Sequence, residues 1–99
     1  MPIDAIILNA LDNVATAVQD LKEGQKAVIR LGHELDNVTV RENIPYGHKF
    51  AVQPIARGAE VLKYGEVIGR ATADIAAGRH AHVHNIESLR GRGDLHREG

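Results

Sequence analysis

Ile44-Pro45-Tyr46-Gly47-His48-Lys49-Phe50-Ala51 contains the device from which this chain is built: an aliphatic anchor, two variable positions and a glycine, leading into a segment of strand-like content. The device recurs at Leu21-Lys22-Glu23-Gly24, Ile55-Ala56-Arg57-Gly58 and Ile75-Ala76-Ala77-Gly78. Its physical reading is a tight turn: glycine takes a backbone angle that other residues resist, and the aliphatic side chain pins the turn to the core. The spacings of 23, 11 and 20 residues are too irregular for a solenoid, so this is a recurring turn and not a true repeat.

Between the turns, strands are predicted from Ile3 to Leu8, Lys26 to Leu31, Asn37 to Arg41, Lys49 to Val52, Val61 to Lys63, Val67 to Thr72 and His80 to His84. Their brevity and glycine punctuation predict a mainly-β fold of crossing strands, not a doubly wound α/β sheet. One short helix is predicted from Asn13 to Leu21, where Val14, Val18 and Leu21 fall at i, i+4 and i+7. Asp12 or Asn13 stands at its N-cap. Residues 88–99 are polar and carry Arg90, Arg92 and Arg97, which predicts a frayed C-terminal tail or a segment that docks on a partner.

Ninety-nine residues make one domain, able to bury about 65% of the unfolded surface but small for a complete active site. A partner is expected on size alone. Twelve basic and 13 acidic side chains give a net charge of −1, and there are only two Tyr and one Phe. Neither nucleic acid nor an anionic membrane finds attraction or base stacking there. Cysteine is absent, which removes disulfides and thiolate ligands. Met1-Pro2-Ile3-Asp4 is unlike a signal peptide and no long apolar run occurs, so a soluble, cytoplasmic protein is expected. The sequon Asn37-Val38-Thr39 and the Arg92-Gly93-Asp94 triplet lose their force in that setting. GxGxxG, Walker, GxSxG and HExxH motifs are all missing.

The densest chemistry lies in His80-Ala81-His82-Val83-His84-Asn85. On a strand the three imidazoles share a face at roughly 6.7 Å intervals, and the outer pair is about 13 Å apart. At Zn–N distances of about 2.1 Å the row offers two ligands at once, so a third must come from elsewhere in the fold or from a second chain. The plainer reading is a polar edge strand. Asn85 could bond a hydroxyl-bearing ligand or simply end the strand. Alternation puts His48 on the face of Phe50 and Lys49 on the other, so both reach one small ligand only if the backbone turns between them. Tyr64 could donate a hydroxyl, but with so few aromatics its ring is expected in the core.

Leu11-Asp12-Asn13-Val14-Ala15, the stretch from Ile44 to Ala51, Lys63-Tyr64-Gly65, Ile68-Gly69 and Gly78 to Asn85 together resemble the SAF-type small domain of the altronate dehydratase family, which includes galactarate dehydratase and sulfolactate sulfo-lyase. The resemblance runs from about Ile3 to Asn85 and assigns residues 1–87 to the domain. It implies a β-clip fold, related in shape to type III antifreeze domains, that serves a separate large subunit or domain in eliminating water or sulfite from a hydroxylated acid such as a sugar acid. A divalent metal, often iron, goes with activity in that family. One position departs: family members commonly carry histidine four residues before the Asn of Asp-Asn-Val, and here that place is Asn9, whose amide is no base near neutral pH.

The chemistry so implied removes a proton beside a carboxylate and expels a β-leaving group, which asks for a tuned base and a Lewis acid or cations. On this reading His48, His82 and His84 are the catalytic candidates and His80, His82 and His84 the metal candidates. Lys49, Lys63 and Asn85 are the substrate-binding candidates, with a lysine facing the carboxylate. The alternative from another class is a non-catalytic docking or dimerisation module of the large subunit. A stand-alone carbohydrate-acid binder is the third reading, and a homo-oligomer stays open.

Overall fold

The four repeated turns organise the molecule. In the computed structural model, which describes residues 3–88, Gly24, Gly47, Gly58 and Gly78 all take φ between +84° and +88°. Each turn closes with a backbone bond two residues wide around its glycine, as in Gln25 N–H to Lys22 C=O at 2.9 Å and His48 N–H to Pro45 C=O at 3.0 Å. A glycine at the third turn position with positive φ is the signature of a type II turn. The anchors Leu21, Ile44, Ile55 and Ile75 are all buried, each contributing about 1.5–3 kcal/mol.

The turns also pair. Leu21 bridges Ile44 and Ile55 bridges Ile75, both antiparallel. The residue before an anchor then reaches across to the opposite turn: Asp20 accepts from Tyr46 N–H at 2.8 Å, Asn43 from Glu23 N–H at 2.9 Å and Asp74 from Arg57 N–H at 2.8 Å. Pro54 holds the fourth such place and has no comparable side-chain acceptor. The recurring sequence device is thus a structural clamp used in two pairs.

Among the described residues nine strands run between the turns: β1 Ala5–Ile7, β2 Val14–Ala17, β3 Lys26–Leu31, β4 Glu34–Thr39, β5 Lys49–Ala51, β6 Glu60–Lys63, β7 Glu66–Ala71, β8 His80–Ala81 and β9 Ile86–Ser88. They form a six-stranded sheet in the order β4-β3-β1-β2-β5-β8 and a three-stranded sheet in the order β6-β7-β9. The fold is mainly β, as expected. One buried cluster gathers Leu21, Ile29, Val40, Ile44 and Phe50; a second gathers Val14, Ile55, Val61 and Ile75. Among the described residues no helix is long and apolar enough to cross a membrane.

The helix expected from Asn13 to Leu21 is absent; the segment is strand β2, hydrogen-bonded to β1 on one side and β5 on the other. Pairing on both edges satisfies its backbone, and Val14, Ala15 and Ala17 are buried while Val18 is exposed, so the apparent helical stripe is not a buried face. Asp12 consequently caps no helix. Its carboxylate accepts from the amides of Tyr64 at 2.9 Å and Gly65 at 2.8 Å, in the turn between β6 and β7. Tyr64 takes φ +59° and Gly65 φ +74° there, a left-handed pair that hairpin turns of this length favour but that is strained at tyrosine. Asn13 adds bonds to Leu62 N–H and Glu60 C=O, both at 2.9 Å. Asp12-Asn13 therefore fastens one sheet to the other. The expected tail from residue 89 onward lies outside the described residues.

Candidate functional site

Strand pairing assembles the site. β5 and β8 run antiparallel with Lys49 opposite Ala81 and Phe50 opposite His80. Continued by one step, the register sets His48 opposite His82, two positions from His80 on one face. The rings follow: His48 and His82 stack with centroids 4.2 Å apart, and His48 and His80 with centroids 5.0 Å apart. His48 Nδ1 lies 2.9 Å from His80 Nε2. One ligand atom from each of His48, His80 and His82 lies within 4.8 Å of the others.

His84, expected in the row, falls outside this group because the strand ends early. β8 stops at Ala81, and residues 82–85 form a turn held by Asn85. The Asn85 side chain accepts from His82 N–H at 2.9 Å and donates to His80 C=O at 2.8 Å. Its amide is thus engaged in shaping the turn. His84 is exposed, with its ring tilted against His80 at 5.1 Å. Glu42, which no local signal in the sequence marks, accepts from His80 N–H at 2.9 Å and anchors the start of β8.

The electrostatics favour uncharged imidazole. Burial lowers the pKa of His80, and His84, His48 and His82 lower it further against an upward pull from Glu42. Burial likewise lowers that of His82, aided by His48, Lys49 and His84. His82 Nδ1 is buried with no hydrogen-bond partner among the described residues. An unpartnered buried nitrogen costs about 1–3 kcal/mol, and a cation or a bound water would offset that. Tetrahedral coordination at about 2.1 Å sets ligand nitrogens about 3.4 Å apart, within the range these three imidazoles span. His48, His80 and His82 therefore fit a divalent ion, as donors of the type zinc, iron and copper take.

A cavity of about 280 Å³ adjoins the cluster and shares His82 with it. Lys49 and Lys63 line it together with Tyr64, Ile68 and Ile86. Burial lowers the Lys49 pKa, and the nearby Lys63 charge adds to the effect. His48 and Lys49, on opposite faces of β5, are linked through His82, which stacks on one and lines the cavity with the other. Tyr64, expected in the core, is instead half exposed at the cavity edge, with Lys63 Nζ 4.8 Å from its ring centre. Asn9 packs against Gly65 and accepts from Leu11 N–H at 2.8 Å. A larger open groove, about 610 Å³ at Arg41 and Arg79, shares no residue with the cluster.

Residues 3–89 match the altronate/galactarate dehydratase SAF domain. The chain is 51% identical over 83 residues to altronate dehydratase of Escherichia coli, covering 84% of this chain and 16% of that protein. It is 33% identical over 93 residues to the (2R)-sulfolactate sulfo-lyase subunit alpha of Chromohalobacter salexigens, covering 91% of this chain and 99% of that one. Galactarate dehydratase (L-threo-forming) of Escherichia coli shares 43% identity over 67 residues, 68% of this chain and 12% of that protein. The chain spans about a sixth of the length of the altronate dehydratases it matches. With a match that runs through the four turns, the Asp12-Asn13 fastening and the histidine cluster, the chain belongs to the altronate/galactarate dehydratase SAF domain family.

Proposed function

We propose that this chain is the imidazole-bearing part of a lyase that eliminates water or sulfite from a hydroxylated acid, working with a larger catalytic chain. The convergence of His48, His80 and His82, with His82 Nδ1 left unpartnered, carries the reading. An uncharged imidazole can ligate a metal or, where it is left free of one, accept the proton beside a carboxylate, and the lowered pKa values of His80 and His82 keep that form available near neutral pH. Lys49 and Lys63 face the acid from the adjoining cavity and offset the negative charge that builds up as the proton leaves. His48, His80 and His82 would hold a divalent metal such as iron, which when bound supplies Lewis acidity to an oxygen of the acid. His84, exposed beside His80, would carry the proton onward to solvent.

The names of the relatives support a larger catalytic partner, as a further domain or as a second chain. A match to a sixth of altronate dehydratase leaves most of that enzyme outside the domain, and the sulfo-lyase relative matched over nearly its whole length is itself named a subunit. The test is turnover of altronate, galactarate and sulfolactate by this chain together with the large chain from the same source, with and without ferrous iron. His82→Ala is expected to lower kcat at least about a hundredfold; unchanged turnover would contradict the proposal.

A second reading has its own observation. Leu8, Leu11, Tyr64 and Val83 are all more than half exposed, and Tyr64 borders both the cavity with Val83 and a small recess with Leu8. This apolar rim suits docking of the large catalytic chain, with the domain acting as a cover and not as a source of catalytic groups. Turnover that survives His82→Ala but fails with Val83→Asp would favour it.

A further inference from the structure

The hairpin that joins β6 to β7 carries a residue its geometry disfavours. Lys63 pairs with Glu66 across the loop Tyr64-Gly65, and both loop residues have positive φ, +59° and +74°. That is the φ signature of a type I′ turn, whose first central place suits asparagine, while a residue with a bulky side chain is strained there. Among the described residues Tyr64 is the one non-glycine residue with positive φ. The surroundings hold the strain in place. Buried Asp12 accepts from both loop amides, Asn13 bonds Leu62 N–H and Glu60 C=O, and a methyl added at Gly65 would meet the Asn9 side chain at 2.6 Å. None of these contacts is made by the Tyr64 ring. The ring stands half exposed in the wall of the cavity, together with Lys49, Lys63 and His82, and Lys63 Nζ lies 4.8 Å from its centre, an attraction that favours this placement.

We infer that this turn holds Tyr64 as a ligand-binding residue, whose phenol hydroxyl donates a hydrogen bond to an oxygen of the molecule in the cavity. Backbone strain persists where the surrounding structure over-determines it and gathers at sites that bind or react. Here the strained residue buries too little of its ring to be explained as core, and the groups that fix its backbone leave the side chain to the cavity. A phenol adds a neutral, directional donor beside two ammonium groups. The inference rests on the lyase reading only for that molecule being the substrate; the strain, its fastening and the placement of the ring stand apart from it.

Two variants test this. Tyr64→Phe keeps the ring and the strained backbone and removes the hydroxyl; Tyr64→Asn installs the residue the turn prefers. In the assembled enzyme Tyr64→Phe is expected to lower kcat/KM at least about tenfold for whichever of altronate, galactarate and sulfolactate is turned over. Tyr64→Asn is expected to lower it as far while raising the Tm of the isolated chain above that of the parent. A residue needed only for the fold would do the reverse. Unchanged kcat/KM in Tyr64→Phe, or a Tm below the parent in Tyr64→Asn, would overturn the inference, and so would normal turnover in Tyr64→Phe with failed assembly in Tyr64→Asn, which would assign the ring to docking. A readout without turnover is NMR of the isolated chain labelled at tyrosine Cζ. The Tyr64 signal is expected to move on titration with the three acids, while Tyr46, which does not line the cavity, stays fixed. Movement without turnover in the assembled enzyme would remove the lyase reading alone; turnover with Tyr64→Phe unaffected would remove this inference alone; neither movement nor turnover would remove both.

Discussion

His48 Nδ1 and His80 Nε2 stand 2.9 Å apart although 32 residues separate them in the chain. The contact exists because the turn at Gly47 delivers His48 to the head of β5 while the turn at Gly78 delivers His80 to the head of β8, and the two strands pair. Two copies of one turn device thus feed the two sides of the site.

Acid should weaken the fold through these imidazoles. The pKa values of His80 and His82 are lowered from 6.5, so below pH 6.5 the unfolded chain binds more protons than the folded one. Stability contributed by the uncharged rings is present above 6.5 and is lost as pH falls through the lower folded values. Thermal melts of the metal-free chain should show Tm steady above pH 6.5 and declining below it, with a shallower decline in a His80→Gln, His82→Gln double variant. An equal slope in the two proteins would contradict this.

Glu42→Gln should shift His80 further from its ordinary range. Among the described residues Glu42 is the group that pulls the His80 pKa upward, and glutamine keeps an acceptor for the His80 amide while removing the charge. NMR titration of the imidazole signals should place the His80 midpoint at lower pH in the variant than in the parent chain.

Asp12→Ala should destabilise the domain by about 2–4 kcal/mol, since it leaves the Tyr64 and Gly65 amides without their acceptors. A helix cap would be worth about 1 kcal/mol. Denaturant unfolding separates the two, and hydrogen exchange should show the loss of protection at Tyr64 and Gly65.

Gly78→Ala should cost about 3 kcal/mol or more. An added methyl would meet the Thr39 carbonyl oxygen at 2.2 Å on a backbone already at φ +88°. Gly24→Ala has the same φ and open space around it, so it should cost only the backbone strain, about 1–2 kcal/mol. The difference between the two midpoints in urea measures the steric part.

Much of this architecture was legible locally. The aliphatic-x-x-glycine turns were readable because anchor and glycine sit within four residues, and β3 was predicted with the bounds it has. β2 was misread because Val14, Val18 and Leu21 mimic a helical stripe; its strand state comes from β1 and β5, far away in sequence. β9 went unread for the same reason, as a three-residue strand defined by its pairing with β7. At the site, His80 and His82 stood out by composition, but grouping them with His48 required the β5–β8 register, and excluding His84 required the Asn85 turn. Lys49 and Lys63 were recognisable as candidates one at a time; their common cavity is a product of the two sheets meeting.

Cobalt(II) titration of the chelator-treated chain, followed by its visible absorption, tests the central claim most directly. One equivalent per chain should bind with the band intensity of a nitrogen-rich site of low coordination number, and His48→Ala should weaken binding at least about a hundredfold while His84→Ala changes it less than about threefold. Absence of stoichiometric binding, or loss on His84→Ala with His48→Ala unaffected, would contradict a metal site built from His48, His80 and His82.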